Sequence, residues 1–162
     1  MAAPVVAYIG LGANLGDAAA AIGSAIDAIA AFDATELVAR SSLYRSAPVD
    51  AAGPDFVNAV VAVRTGLTPH ELLARLQAVE AHHGRQRPFR HAPRTLDLDL
   101  LLHDDAVVQT PTLTVPHPRA HERAFVLLPL AELAPGLVIP GRGAVASLLQ
   151  AVAGQRVDKL TA

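Results

Sequence analysis

The chain has 162 residues, 52% of them apolar, with 13 basic and 15 acidic side chains and a formal net charge of -2 at pH 7. That length and apolar content fit one well-buried core and exclude two full domains, and the near-neutral balance excludes a general attraction to nucleic acid or acidic membranes. With no cysteine in the chain, a disulfide framework and a thiolate metal site are excluded as well.

The start, Met1-Ala2-Ala3-Pro4, lacks the basic region of a secretory signal. The Ala-rich stretch over 18–32 carries Ser24 and Asp27 and reads as a helix in water, not a membrane span. One domain over residues 1–162 is expected, a cytoplasmic monomer working on small molecules without nucleic-acid or membrane partners.

Val5 to Leu11 is apolar and β-branched and stops at glycines, which predicts a buried strand. The next helix takes Asp17 as its cap, with Ile22, Ala25, Ile26, Ile29 and Ala30 forming one core-facing stripe. Two strand-like runs follow, Glu36 to Ser46 and Phe56 to Thr65, separated by the Pro- and Gly-rich loop Ala47 to Asp55. Thr68-Pro69-His70-Glu71 is a capping box with Pro at the first helical position. Its helix carries Leu72, Leu73, Leu76, Val79 and Glu80 and is expected to stop at Gly84, suited to a left-handed C-terminal cap. After a loop from Arg85 to Pro93, Thr95-Leu96-Asp97-Leu98-Asp99-Leu100 alternates as a strand does. Strand, helix, strand, strand, helix, strand is the split order of a ferredoxin-like sandwich. That is an α+β fold whose sheet is mostly antiparallel, with its helices expected on one face. Beyond it, Val107 to Val115 predicts a strand pair broken at Pro111, and Glu122 to Leu133 and Val145 to Val152 predict short helices.

On the alternating strand, Leu96, Leu98 and Leu100 point to one face, while Thr95, Asp97 and Asp99 share the other. The two carboxylates then stand about 7 Å apart at Cα, a spacing from which both converge on a hard cation such as Mg²⁺. Asp-x-Asp alone is also what a solvated strand face shows, but Asp is a poor strand former and two of them among leucines are unusual. Arg85, Arg87, Arg90 and Arg94 crowd the loop just before this strand, and Arg119 and Arg123 follow in a second loop. Four like charges in a short loop call for an anion, and planar guanidinium forks suit phosphate oxygens. Placed next to a carboxylate pair, they form the charge arrangement that a metal-bound polyphosphate needs.

Other signals are weaker. Gly10 and Gly12 follow a strand, yet the next glycine is Gly16 and no Rossmann continuation follows; no Walker A sequence exists either. Gly10 and Gly16 are expected to serve a tight turn, and Gly12 to let a flat ligand approach the backbone. His82 and His83 sit at a helix end, where positive charge suits the dipole. His117 and His121 make an improbable zinc pair because Pro116 and Pro118 oppose a helix there; His117 is placed to donate to phosphate.

Several runs together carry a resemblance over nearly the whole chain. They are Tyr8-Ile9-Gly10-Leu11-Gly12-Ala13-Asn14-Leu15-Gly16, Ser42-Leu43-Tyr44-Arg45, Phe56-Val57-Asn58-Ala59, Glu80 with Gly84-Arg85-Gln86-Arg87, Pro93-Arg94-Thr95-Leu96-Asp97-Leu98-Asp99, Val115-Pro116-His117, and Arg123-Ala124-Phe125. The chain resembles the 6-hydroxymethyl-7,8-dihydropterin pyrophosphokinases of folate biosynthesis. The resemblance implies transfer of pyrophosphate from ATP to the pterin hydroxymethyl oxygen, leaving AMP. It implies two Mg²⁺ ions on Asp97 and Asp99, and catalytic roles for Arg85, Arg94, Asp97 and Asp99. ATP contacts fall on Glu80, Arg85, Arg87, Arg90, Arg94, His117 and Arg123, and pterin contacts on Gly12, Ser46, Val49, Phe56, Asn58 and Phe125. The pattern differs at His91, where a Trp is common, at Phe56 in place of Tyr, and at Ser46-Ala47 in place of Thr-Pro. The rival reading is a ferredoxin-like module that binds RNA or a ligand without catalysis; the scarcity of aromatics and the acidic strand face argue against RNA.

Overall fold

The apolar runs of the sequence become strands of one six-stranded sheet. The computed structural model describes residues 3–14, 17–47, 55–84 and 96–160. In chain order its first elements are β1 (Val5–Ala13), α1 (Ala18–Ala30), β2 (Thr35–Arg40), β3 (Tyr44–Ser46), β4 (Phe56–Thr65), α2 (Pro69–Gly84) and β5 (Asp97–His103). They continue with β6 (Val108–Gln109), β7 (Thr114–Val115), a 3-10 turn (Ala120–Glu122), α3 (Ala124–Leu133), β8 (Val138–Ile139), β9 (Gly143–Ala144), α4 (Val145–Ala151) and β10 (Val157–Lys159). The sheet runs β10-β3-β4-β1-β5, with β2 also paired to β4, and these pairings are antiparallel. β1 and β2 therefore run parallel with β4 inserted between them, which makes the fold ferredoxin-like.

Local chemistry starts the helices where expected. Asp17 Oδ1 accepts from the Ala20 N–H at 3.0 Å at the head of α1. In the capping box of α2, Glu71 N–H donates to Thr68 Oγ1 at 3.1 Å and Thr68 N–H donates to Glu71 Oε1 at 2.9 Å. Gly84, expected just past the end of α2, is instead its last helical residue.

One core lies between the sheet and the helices α1 and α2. Ile9, Leu11, Val61, Val63, Leu98 and Leu100 meet Ile22, Ile26, Ile29, Leu72 and Leu76 there. The expectation of helices on one face holds for this pair only. α3 and α4 cover the opposite face, where Val60, Leu101 and Leu102 pack with Val126, Leu127, Leu130, Ile139, Val145 and Val152. The reason is that β4 is buried on both faces from Asn58 to Val63, as a continuous apolar run requires. In β5 the alternation breaks at a register shift, so Leu100 faces one core while Leu101 and Leu102 face the other.

Three other expectations change. The run from Glu36 to Ser46 is two strands, because at Ser41 the side chain stands in for the ladder: Ser41 Oγ accepts from the Val60 N–H at 2.9 Å. Gly10 lies inside β1, paired with Val60 and Asp99, not in a turn. α3 starts at Ala124, with Arg123 as its N-cap, not at Glu122. The strand pair around Pro111 forms as β6 and β7.

Glu132, near the end of α3, ties this second layer to the β2–β3 junction. Its carboxylate accepts from Tyr44 Oη at 2.6 Å, from Ser42 Oγ at 3.0 Å and from the Ser42 N–H at 2.9 Å. Burial pulls its pKa upward, but these donors and the charge of Lys159 outweigh that and hold the carboxyl below its ordinary range. Burial first, then the Glu132 contact, pushes the Tyr44 phenol well above its usual value. A depressed carboxyl contributes stability that is present above its unfolded pKa and is lost as the pH falls through the folded value. Glu132→Ala is expected to cost about 1–2 kcal/mol after screening at this exposed site, or about 2–8 °C in Tm. In thermal melts the gap to the unsubstituted protein should be full at pH 7 and narrow below about pH 4.3; a gap that stays constant down to pH 3 would rule out the charged clamp.

Candidate active site

Register places the site. Gly12 stands between Asn58 of β4 and Asp97 of β5, and Gly10 between Val60 and Asp99. Directly opposed residues share a face, so Asn58, the two glycines and both aspartates look toward α3, while Leu96, Leu98 and Leu100 turn into the other core. On the same face of β3 and β4, Ser46 is paired with Phe56. The glycines leave a hollow where side chains would otherwise stand. An added Cβ at Gly12 would lie 3.2 Å from Asn58 Nδ2, and one at Gly10 would lie 3.4 Å from the Leu101 side chain.

The hollow is a cavity of about 230 Å³ lined by Gly10, Gly12, Ser46, Phe56, Asn58, Asp97, Asp99, Leu101, Arg123 and Phe125, among others. Apolar rings and a few polar groups are the usual make-up of a small-molecule site. Ser46 Oγ donates to Asn58 Oδ1 at 2.6 Å, which fixes the buried amide with its Nδ2 toward Gly12. Arg123 and Phe125 form the opposite wall from the start of α3, the guanidinium carbon 5.5 Å from the ring centroid.

A second cavity of about 270 Å³ lies along the outer edge of β5, walled by Leu73, Leu98, Leu100, Leu113, the Thr110–Thr114 segment and His117, and by Asp99. Asp99 therefore lines both cavities. His117 is held there because its N–H donates to Leu101 O at 2.9 Å, which lays the loop after β7 along β5. Its Nδ1 accepts from the Arg119 N–H at 3.2 Å, and Nε2 is 3.8 Å from Asp99 Oδ1. Burial lowers the His117 pKa; Asp99 opposes this, and Arg123 and Arg119 add to it. Because Nδ1 accepts from a backbone N–H, the ring proton lies on Nε2, facing the carboxylate, and the imidazole is set to donate. Glu80, on α2, accepts from the Leu98 N–H at 2.8 Å and so secures the peptide between the two aspartates.

Of the residues expected from the sequence, the structure brings together Gly12, Ser46, Phe56, Asn58, Asp97, Asp99, Arg123 and Phe125 around one cavity, with His117 beside Asp99 and Glu80 bonded to the Leu98 N–H. Val49, Arg85, Arg87, Arg90 and Arg94 lie outside the described residues. The second cavity went unread in the sequence; the threonines flanking Pro111 were its one local sign. Among the described residues no cluster of three or more His, Cys, Asp or Glu side chains forms a closed metal cage. No helix among them is long and apolar enough to cross a membrane.

Fold and cavity define a ferredoxin-like α+β protein with a cavity of small-molecule size. Residues 8–135 match the family model described as 7,8-dihydro-6-hydroxymethylpterin-pyrophosphokinase. The chain is 48% identical over 136 residues to the 2-amino-4-hydroxy-6-hydroxymethyldihydropteridine pyrophosphokinase of Methylorubrum extorquens, covering 83% of this chain and 86% of the relative. It is 45% identical over 154 residues to the protein of the same name from Pseudomonas aeruginosa, covering 94% and 95%. The fold matches a crystal structure of an HPPK-DHPS in complex with substrates with a TM-score of 0.72 at 12% identity, covering 93% of this chain and 43% of that longer one. The chain belongs to the 7,8-dihydro-6-hydroxymethylpterin-pyrophosphokinase family and is a kinase-type transferase of folate biosynthesis that moves a pyrophosphoryl group.

Gly12→Ala separates stability from function. Alanine suits a strand better than glycine by roughly 0.5–1 kcal/mol, but its Cβ would crowd the buried Asn58 amide at 3.2 Å; the two effects oppose each other, so the melting temperature should stay within about 4 °C of the parent. The added methyl meets Asn58 Nδ2, so kcat/KM should fall about tenfold in a steady-state assay. Unchanged kcat/KM would show that the Asn58 amide does not read the substrate.

Proposed function

We propose that the chain transfers the terminal pyrophosphate of ATP to the hydroxymethyl oxygen of 6-hydroxymethyl-7,8-dihydropterin, with the pterin in the first cavity and the adenine in the second. The observation that supports this most is that Asp99 is a wall of both cavities while Asp97 shares its strand face. A triphosphate leaving an adenine in the outer cavity would run past these carboxylates toward the pterin hydroxyl.

The donor set suits Mg²⁺. Two half-buried carboxylates supply hard oxygen ligands without closing the coordination shell, as Mg²⁺ with retained water and phosphate requires. Asp97 and Asp99 would hold two such ions, which when bound offset charge on the phosphate oxygens. The protein's own groups do the rest. Phe56 and Phe125 sandwich a flat ring, with Gly12 at the floor of the cavity; Val49 is assigned to the pterin through the resemblance alone. The Asn58 amide, oriented by Ser46, reads the ring's polar edge. Arg123 and the Nε2–H of neutral His117 stabilise phosphate charge. Arg85, Arg87, Arg90 and Arg94 are assigned to phosphate binding through the resemblance, with Arg85 and Arg94 taking part in the transfer. Glu80 lies beside the nucleotide and steadies Leu98. The hydroxyl oxygen bonds to the β-phosphorus and gives up its proton to solvent, the bond from that phosphorus to the oxygen bridging it to the α-phosphorus breaks, and AMP leaves with that oxygen. The whole activity is assigned to one cytoplasmic, monomeric domain with no nucleic-acid or membrane partner.

The test is to incubate the protein with ATP, Mg²⁺ and the reduced pterin alcohol and to identify the nucleotide released. AMP is expected; ADP would mean single-phosphate transfer and overturn the reading. Asp97→Asn and Asp99→Asn should each reduce turnover by about 10²-fold or more with the melting temperature held. Normal Mg²⁺-dependent turnover in both would remove the carboxylates from the site.

A further inference from the structure

We propose that Gln155 is a positioning residue for Arg123, so that the C-terminal segment, outside the 8–135 span of the family match, is a working part of the site. The inference rests on the assignment of Arg123 to that site.

Arg123 occupies an exacting place. It is the N-cap of α3, with extended backbone angles of φ -121 and ψ 115, and its side chain makes no capping bond. An arginine offers no acceptor for the free N–H groups of a helix start. Gln155 supplies what Arg123 lacks. Its Oε1 accepts from the Ala124 N–H at 2.9 Å and its Nε2 donates to Glu122 O at 2.8 Å. The Glu122 carbonyl belongs to the peptide before Arg123, and the Ala124 N–H to the peptide after it. One side-chain amide thus holds both peptide planes about the Arg123 Cα, and with them the direction in which the guanidinium leaves the backbone toward Phe125 and the cavity.

The same segment also braces the facing wall. Gln155 N–H closes a turn onto Val152 O at 2.9 Å, after which β10 pairs with β3 in the register Val157↔Ser46 and Lys159↔Tyr44. Leu160 N–H then donates to Leu43 O at 2.8 Å. Ser46 is the residue that orients Asn58. The segment therefore grips Arg123 with a side chain and Ser46 with a strand, and Gln155 is itself exposed, so core packing does not account for its placement.

Gln155→Glu separates positioning from plain helix capping. A carboxylate still accepts from Ala124 N–H and suits a helix N-terminus, so a capping role alone predicts full activity. It has no hydrogen to give Glu122 O, so a positioning role predicts a melting temperature within about 3 °C of the parent but kcat/KM lower by about tenfold. Gln155→Leu, which keeps neither bond, should lose at least as much activity. On an Arg123→Ala background either change should add less than about twofold, because the residue it positions is gone. Parental kcat/KM in Gln155→Glu, or full additivity with Arg123→Ala, would overturn the proposal while leaving the site assignment standing. Parental kcat/KM in Arg123→Ala itself would remove Arg123 from the site and the proposal with it.

Discussion

The register of the central strand against its two neighbours is the constraint from which the rest of the molecule follows. With Gly12 opposite both Asn58 and Asp97, and Gly10 opposite Asp99, a polar cavity-facing row and an apolar core-facing row are sorted by pleat alone. A slip of one residue would reverse every assignment, sending the aspartates into hydrocarbon and the leucines into the hollow. Burial of Ile9, Leu11, Leu98 and Leu100 against α1 and α2 therefore stabilises the site's geometry as much as the fold, since the same alternation governs both.

The second helical layer has a different task. α1 and α2 complete a core that a smaller ferredoxin-like unit also needs, whereas α3 covers only part of the opposite face and leaves the glycine hollow beside Arg123 and Phe125. Its two ends are tied by polar contacts to distant segments, at Glu132 to the β2–β3 junction and at Ala124 to Gln155. A cavity wall that is fastened at both ends keeps its arginine and its aromatic ring in a set relation to the sheet.

How much of this was legible before folding depended on whether the signal was local. Alternation around Asp97 and Asp99 specified their face, Asp17 and Thr68 marked helix starts, and the element order pointed to the ferredoxin-like sheet. β8, β9 and β10 are two or three residues long and carry no readable period. Gly12 is expected to let a flat ligand approach the backbone, but Gly10 reads as part of a turn because glycine weakens strands; only the partner strands reveal that it lies inside β1 and also leaves room. The α3 layer was hidden because two-sided burial of β4 looks, in sequence, like any apolar run. The outer cavity draws its walls from α2, β5 and the Thr110–His117 segment, which no window of sequence joins. The Gln155 contacts reach back 31 and 33 residues, and nothing near Arg123 announces them. The basic cluster from Arg85 to Arg94, the plainest electrostatic signal in the chain, lies outside the described residues.

The glycine at the floor of the hollow carries a further consequence for how such a chain can be altered. In a strand interior glycine favours folding less than any residue but proline, so a small replacement to which the Asn58 amide can yield would make the protein hardier. Selection for heat resistance alone would therefore press toward filling that floor, and a library enriched for survivors of heating should drift toward sturdy, empty-handed proteins. The sparseness of side chains at this one spot measures how much robustness is set aside to keep the floor of the cavity open.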